Sequence, residues 1–216
     1  MKPLRKRIRA GTEEAAAGRG ELLAAAARAF MVNGYAGTSI DMVAEELGCT
    51  KGRIYYQYKG KADLFFDVQR EAMLMNVATV RPHADAAGSP RARLRAMVED
   101  QLVVNMERLP FERVLMQGVE MHLAGSTTPA QRSALAAQIR LRDEFEQLFV
   151  KVVEEGVRAG EFRQLEVRLF CKSLLGAMTW MLVWYRPPRD DSADKRRALA
   201  RELADSMLYG LGPVGG

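Results

Sequence analysis

Histidine and cysteine are almost missing from this chain, with two of each in 216 residues. Cys49 and Cys171 stand far apart, without a second thiol or imidazole at ligand spacing. Neither a disulfide framework nor a metal site is expected, and reduced thiols fit a cytoplasmic protein. The chain also has no GxSxG, HExxH or P-loop pattern, so nucleophilic, metal-assisted and phosphate chemistry lack a foothold. An enzyme is therefore not expected, nor is a cofactor. No window offers the roughly 18 uninterrupted apolar residues of a membrane span. The basic start "MKPLRKRIRA" runs into the amphipathic "ELLAAAARAF" rather than into a cleavable signal.

What is present is enough apolar side chain for a real core, 48% of residues, and a lopsided charge. Residues 1–61 hold 11 Lys and Arg against 6 Asp and Glu, whereas the remaining residues hold 21 of each sign. The whole excess of +5 sits at one end. Such a gradient predicts a polyanion-binding module there, a solvated basic tail being the ordinary alternative.

Periodicity is helical nearly throughout, with Gly, Pro and Ser/Thr where helices stop and start, which predicts an all-α fold of about nine helices. The expected helices lie at 20–33, 39–47, 51–56, 61–79, 91–108, 111–124, 129–159, 166–185 and 193–209. Gly34 and Gly48 serve as C-terminal stops, Thr38 or Ser39, Thr50, Thr128 and Ser192 as N-caps. "PHADAAGSP", residues 82–90, reads as a linker, with His83 exposed in it.

Residues 39–56 form a helix-turn-helix candidate. Its first helix buries Ile40, Val43, Ala44 and Leu47, and Gly48 sets the turn. The second helix has little to bury. The stretch "CTKGRIYYQYKGKADL" carries three tyrosines and four cations against one acid. Only Ile54, with an edge of Tyr55 or Tyr58, can plug it into a core, which leaves Lys51, Arg53, Tyr56 and Gln57 outward. Gly52 removes bulk where backbone meets a duplex. A recognition helix in a major groove needs such a surface; a cation–π patch is the blander reading.

These residues also resemble a known family. "GYAGTSIDMVAEELGCTKGRIYYQYKGKADLF", Gly34 to Phe65, is similar to the DNA-binding domain of the tetracycline-repressor (TetR) family. It departs from the family pattern at Cys49 for Val, Ile54 for Leu and Gln57 for His. The resemblance implies phosphate contacts from Thr38, Tyr55, Tyr56 and Lys61, with Ser39 and Gln57 at the same surface, and base contacts from Lys51 and Arg53. It implies a DNA-binding domain in residues 1–65 and an effector-binding and dimerisation domain in residues 66–216. Lys2, Arg5, Lys6, Arg7 and Arg9 would form an arm that reaches the adjacent minor groove or simply adds nonspecific attraction.

The segment "EVRLFCKSLLGAMTWMLVWY" has a stripe sufficient for a monomer core. From Leu174 onward Ala177, Trp180, Val183 and Trp184 make its other side apolar as well. A second copy is the simplest cover, with Leu203 and Met207 of the last helix joining the interface. Methionines in a helical bundle can line an adaptable pocket, which makes Met106, Met116, Met121, Met178 and Met181, with His122, the candidate lining. Gap-filling core is the competing reading for each methionine.

"WMLVWYRPP" resembles a segment of TetR-like regulators that sense acyl-CoA thioesters. Arg186 and Arg189 would meet CoA phosphates or, more simply, cap a helix C-terminus. The expectation is a homodimeric repressor of double-stranded operator DNA, released by a small hydrophobic effector, with an acyl-CoA in lipid catabolism as the named candidate and no membrane partner. The alternatives are a repressor answering to drugs or other small molecules and, in a different class, a helical protein–protein adaptor.

Overall fold

The structure is a computed structural model that describes the backbone of residues 4–123 and 129–209, and the side chains of residues 18–118 and 132–209. Among the described residues there are nine helices and no strand: α1 (Leu4–Gly37), α2 (Ile40–Leu47), α3 (Lys51–Tyr55), α4 (Lys61–Ala84), α5 (Pro90–Glu107), α6 (Leu109–Leu123), α7 (Pro129–Arg158), α8 (Val167–Trp184) and α9 (Ala193–Tyr209).

Two hydrophobic cores meet along α4. The first is built by Leu22, Leu23 and Phe30 of α1, Val43 of α2, Ile54 of α3 and Leu64, Phe65, Val68 and Ala72 of α4. Phe65 is its hub, with its ring edge-on to Phe30 at 5.0 Å and 4.8 Å from the Tyr35 ring. Arg19 ties the outer face by donating to Asp67 at 2.9 Å and Glu71 at 3.1 Å, and the Tyr58 hydroxyl donates to Asp67 at 2.6 Å. The second core takes over at Met73 of α4 and includes Met97 and Leu102 of α5, Phe149 of α7 and Met178 and Met181 of α8. Phe111 and Val114 of α6 belong to the first core, so α6 reaches between the two.

Several boundaries differ from the sequence reading. The regular part of α1 ends at Gly34, where φ is 68°, a left-handed conformation that glycine adopts without a Cβ penalty. At its other end α1 continues back to Leu4, so the backbone of the basic arm is helical from there on. Helix α4 runs past Thr79 to Ala84 despite Pro82, because Val80 and Ala84 are fully buried and their packing carries the helix through the proline. The connection to α5 is therefore only 85–89. His83, expected to be exposed, is half-buried in α4, with Nε2 2.6 Å from an Asp100 carboxylate oxygen. Thr128 lies outside the described residues.

Helix α8 has the length and composition of a membrane span, with a mean hydropathy of 1.2 over Val167–Trp184. It lies within the helical bundle, with Cys171, Leu174, Met178, Met181 and Leu182 buried. Its opposite side exposes Leu169, Trp180, Val183 and Trp184. Helix α9 lies chiefly on α5.

Candidate nucleic-acid interface and interior cavity

The α2–turn–α3 unit is set by local backbone chemistry. Ser39 caps α2 by accepting the Met42 N–H at 3.2 Å. Gly48 ends the helix with φ 66°, its N–H reaching the carbonyls of Ala44 and Glu45, while the Cys49 N–H returns to Ala44 at 2.9 Å. These are the bonds of a left-handed C-cap, which fix the angle between the two helices. Helix α3 is anchored by Ile54, fully buried, and by Tyr58 just beyond it. Burial, followed by its bond to Asp67, pushes the Tyr58 phenol well above its ordinary range, so it remains protonated and donating.

Everything else on α3 faces out. Tyr56 is 91% exposed and Tyr55 53%, and Lys51, Gly52, Arg53 and Gln57 are exposed beside them. Lys51 lies 3.4 Å from Asp41 across the turn, an exposed ion pair of little energetic weight. The Arg53 guanidinium lies alongside Gly18 of α1, where a Cβ would come within 3.4 Å of it.

Two of the expected phosphate contacts are otherwise engaged. Thr38 is only 2% exposed, and its hydroxyl donates to the carbonyls of Gly34 at 2.7 Å and Ala29 at 3.2 Å, so its side chain is a clasp on the end of α1. Lys61 donates to the Ala36 carbonyl at 3.2 Å and lies 4.7 Å over the Tyr35 ring. A cation at the start of α4 is unfavourable for that helix, and here it is compensated at the C-terminal end of α1, where carbonyls and an aromatic face attract it.

The second core encloses a cavity of about 460 Å³. Its buried walls come from α4, α5, α6, α7 and α8. Its exposed rim includes Arg142 of α7 with Lys172, Gly176 and Thr179 of α8, so the mouth opens between α7 and α8. Met116 and Met178, two of the candidate lining residues, line it. Met106 and Met181 are packed into the surrounding core instead, because their faces of α5 and α8 turn away from the opening. Met121 and His122 lie outside the residues whose side chains are described.

The chemically distinctive lining is polar. Asn105 Nδ2 donates to the Met178 carbonyl at 3.1 Å, and Gln101 Nε2 donates to Asn105 Oδ1 and to Asn76 Oδ1, both at 2.9 Å. Asn76 Nδ2 in turn donates to Glu112 at 3.0 Å. Burial raises the Glu112 carboxyl to about 7, with the Asn76 bond opposing the shift. Gln69 donates to the Val114 carbonyl at 3.0 Å, and its amide packs against Gly118, where a Cβ would come within 1.9 Å and force the Gln69 side chain to move.

Helix α6 links this cavity to the first core. Glu112, Leu115, Met116 and Gly118 line the cavity, while Gln117 donates to the Phe30 carbonyl of α1 at 2.8 Å. Arg113 donates to the carbonyls of Leu182 and Tyr185 at the end of α8, at 3.0 and 2.9 Å.

Two family profiles match the chain. One is the bacterial regulatory proteins, tetR family, over residues 22–68, and the other is the tetracyclin repressor-like C-terminal domain, over residues 87–211. The chain belongs to the TetR family of transcriptional regulators.

Among TetR proteins, the chain is 26% identical to the transcriptional repressor KstR2 of Rhodococcus jostii (strain RHA1) over 195 residues, 89% of this chain and 90% of that one. It is 33% identical over 81 residues to the activator FasR of Mycolicibacterium smegmatis, 38% and 37% of the two chains. The crystal structure of the TetR regulator PfmR from Thermus thermophilus superposes with a TM-score of 0.76 at 27% identity, covering 89% of this chain and 99% of that one. The fold is shared with AibR, solved with isovaleryl coenzyme A and operator DNA, at a TM-score of 0.71 and 21% identity over 89% and 98% of the chains. As a TetR regulator the chain is a DNA-binding protein, and its helix-turn-helix is the DNA-binding element of the family.

The expected dimer face is divided in this TetR chain. Ala177, Trp180, Val183 and Trp184 of α8 are exposed, whereas Leu203 and Met207 of α9 are half-buried against the chain's own core. Arg186 donates to the Val183 and Tyr185 carbonyls, both at 2.9 Å, so it caps α8; Arg189 is exposed. Sequence reasoning missed the polar lining altogether. The signal was present as Gln69 and Asn76, and Gln101 and Asn105, at helical spacing within otherwise apolar faces.

Proposed function

We propose that the chain is a homodimeric, ligand-responsive repressor that binds a palindromic operator and leaves it when a small, mainly hydrophobic molecule fills the cavity between α7 and α8. The observation that carries this reading is the position of α6. The same helix lines the cavity through Glu112, Leu115 and Met116, and grips α1 of the DNA-binding unit through Gln117.

On this reading residues 1–65 read DNA and residues 66–216 bind effector and dimerise, with α4 continuous across that division. In α3 and the two residues after it, Arg53 and Lys51 face base edges, while Tyr55, Tyr56 and Gln57 hold phosphates, with Ser39 at the start of α2 nearby. The exposed strip of α8 meets its counterpart in a second copy around Trp180 and Trp184, and a twofold dimer places two α3 helices for half-sites about 34 Å apart. An effector acts by binding more tightly to a dimer whose α3 spacing mismatches the DNA. Displacement of Glu112 or Met116 would move α6, and α6 would carry α1 and the recognition helix with it.

An acyl-CoA is the leading effector. The cavity is apolar in its larger part, Arg142 and Lys172 stand at its mouth where phosphates would emerge, and a protein of the same fold binds isovaleryl coenzyme A. The test is a gel-shift titration against the DNA flanking the chain's own gene, repeated with dodecanoyl-CoA and with a cationic drug. Binding released by the thioester alone supports the full reading. Release by the drug alone moves the effector to another class, and failure to bind DNA excludes an operator beside the gene.

A further inference from the structure

The polar end of the cavity has fixed directions. A backbone carbonyl is an acceptor only, so the Met178 carbonyl obliges Asn105 to present its amide N–H, and Asn105 Oδ1 then faces Gln101. Gln101 must present its own N–H₂ to both Asn105 and Asn76, which leaves Asn76 Nδ2 for Glu112. The Val114 carbonyl orients Gln69 in the same way.

Each chain of donors therefore ends in an oxygen. Gln101 Oε1, Gln69 Oε1 and Glu112 Oε1 are all buried, have no hydrogen-bonding partner among the described residues, and belong to side chains that line the cavity. The three residues are at most 3% exposed. A buried, unmet oxygen is costly, and a hydrocarbon end pressed against it would leave it unmet.

We infer that the effector carries a hydroxyl group at its buried end, seated between Gln101 Oε1 and Glu112 Oε1, with an apolar body running toward the mouth. This inference rests on the cavity being the effector site. A hydroxyl donates to Gln101 in every protonation state of Glu112. It also accepts from a protonated Glu112 or donates a shared bond to an ionised one; a methyl terminus does neither, and a carbonyl terminus only the first. Gln69 Oε1, two helical turns from Asn76 on the same face of α4, offers a second acceptor to a ligand with a further donor. The ligand class is thus a chain hydroxylated at its far end, distinct from a plain fatty acyl tail.

The experiment is isothermal titration calorimetry of the full chain with three acids of one length: dodecanoic, 12-hydroxydodecanoic and 12-aminododecanoic acid. Each leaves its carboxylate for the mouth and differs only at the far end. The 12-hydroxy acid is expected to bind about tenfold or more tightly than the methyl-terminated acid. Glu112→Leu, checked for folding by its thermal melt, should reduce that preference to what the Gln101 bond alone supplies, and Glu112→Gln, which keeps an acceptor and a donor, should preserve it.

The wild-type ratio decides the matter even where the leucine variant does not fold. Equal or tighter binding of dodecanoic acid overturns the hydroxyl while leaving the cavity as an effector site. Tightest binding by the amino acid overturns it in favour of a cation. If none of the three binds while operator binding persists, the inference falls, and the thioester titration decides the effector reading separately.

Discussion

Glu112 is an ionisable group fully buried beside a neutral amide. Its carboxyl is held up to about 7 by burial, against an ordinary 4.5 in the unfolded chain. Between those values the unfolded state gives up a proton that the native state keeps, so stability falls as pH rises from about 4.5 to about 7. At about 1.4 kcal/mol per unit the loss is on the order of 3 kcal/mol. Glu112→Gln is expected to remove this slope and to be the more stable protein at about pH 8. Urea unfolding at about pH 5 and about pH 8 checks it, and parallel losses in both proteins would mean that Glu112 is ionised in the native state.

On α3 the expectation differs between neighbours. Arg53→Ala should change the ranking of operator sequences, whereas Tyr56→Phe should weaken all of them alike, by about threefold to tenfold for one phosphate contact. A panel of single-base operator variants measured by anisotropy separates the two. A uniform loss for Arg53→Ala would remove it from base reading.

At the scale of elements, the helices were legible in the sequence because the apolar periodicity and the caps coincide. Ile40, Val43 and Ala44 are buried, Ser39 caps and Gly48 stops α2 as the pattern requires. The extension of α4 past Thr79 was not legible, because the packing of Val80 and Ala84 that outweighs Pro82 comes from other parts of the chain. The cavity was half legible. Met116 and Met178 follow from composition, but the importance of Asn76, Gln101 and Glu112 depends on three helices meeting, which no local pattern records. The engagement of Lys61 was hidden as well, because its partner, the Ala36 carbonyl, lies at the end of a different helix.

The linking helix α6 carries the prediction at this scale. Gln117→Ala removes the bond to the Phe30 carbonyl without touching the residues that line the cavity. Effector affinity of the free protein should change little, while the factor by which effector weakens DNA binding should fall several-fold. An unchanged factor in the variant would route the coupling elsewhere.

For the whole molecule, assembly and response are one question. Trp180 is 64% exposed and Trp184 46%, side chains large enough to anchor an interface when a second copy covers them. Trp180→Ala together with Trp184→Ala should give a monomer in sedimentation velocity at micromolar concentration, with operator affinity reduced through loss of the second half-site. A double variant that still sediments as a dimer would place the interface on another surface.

The response itself turns on whether filling the cavity changes the affinity for DNA. The most direct measurement is the anisotropy isotherm of the wild-type protein on its operator, taken without ligand and at saturating dodecanoyl-CoA. The predicted result is a shift to weaker binding by about tenfold or more, reciprocated by weaker ligand binding to the DNA complex. Superimposable isotherms, with calorimetry showing the thioester bound, would contradict it.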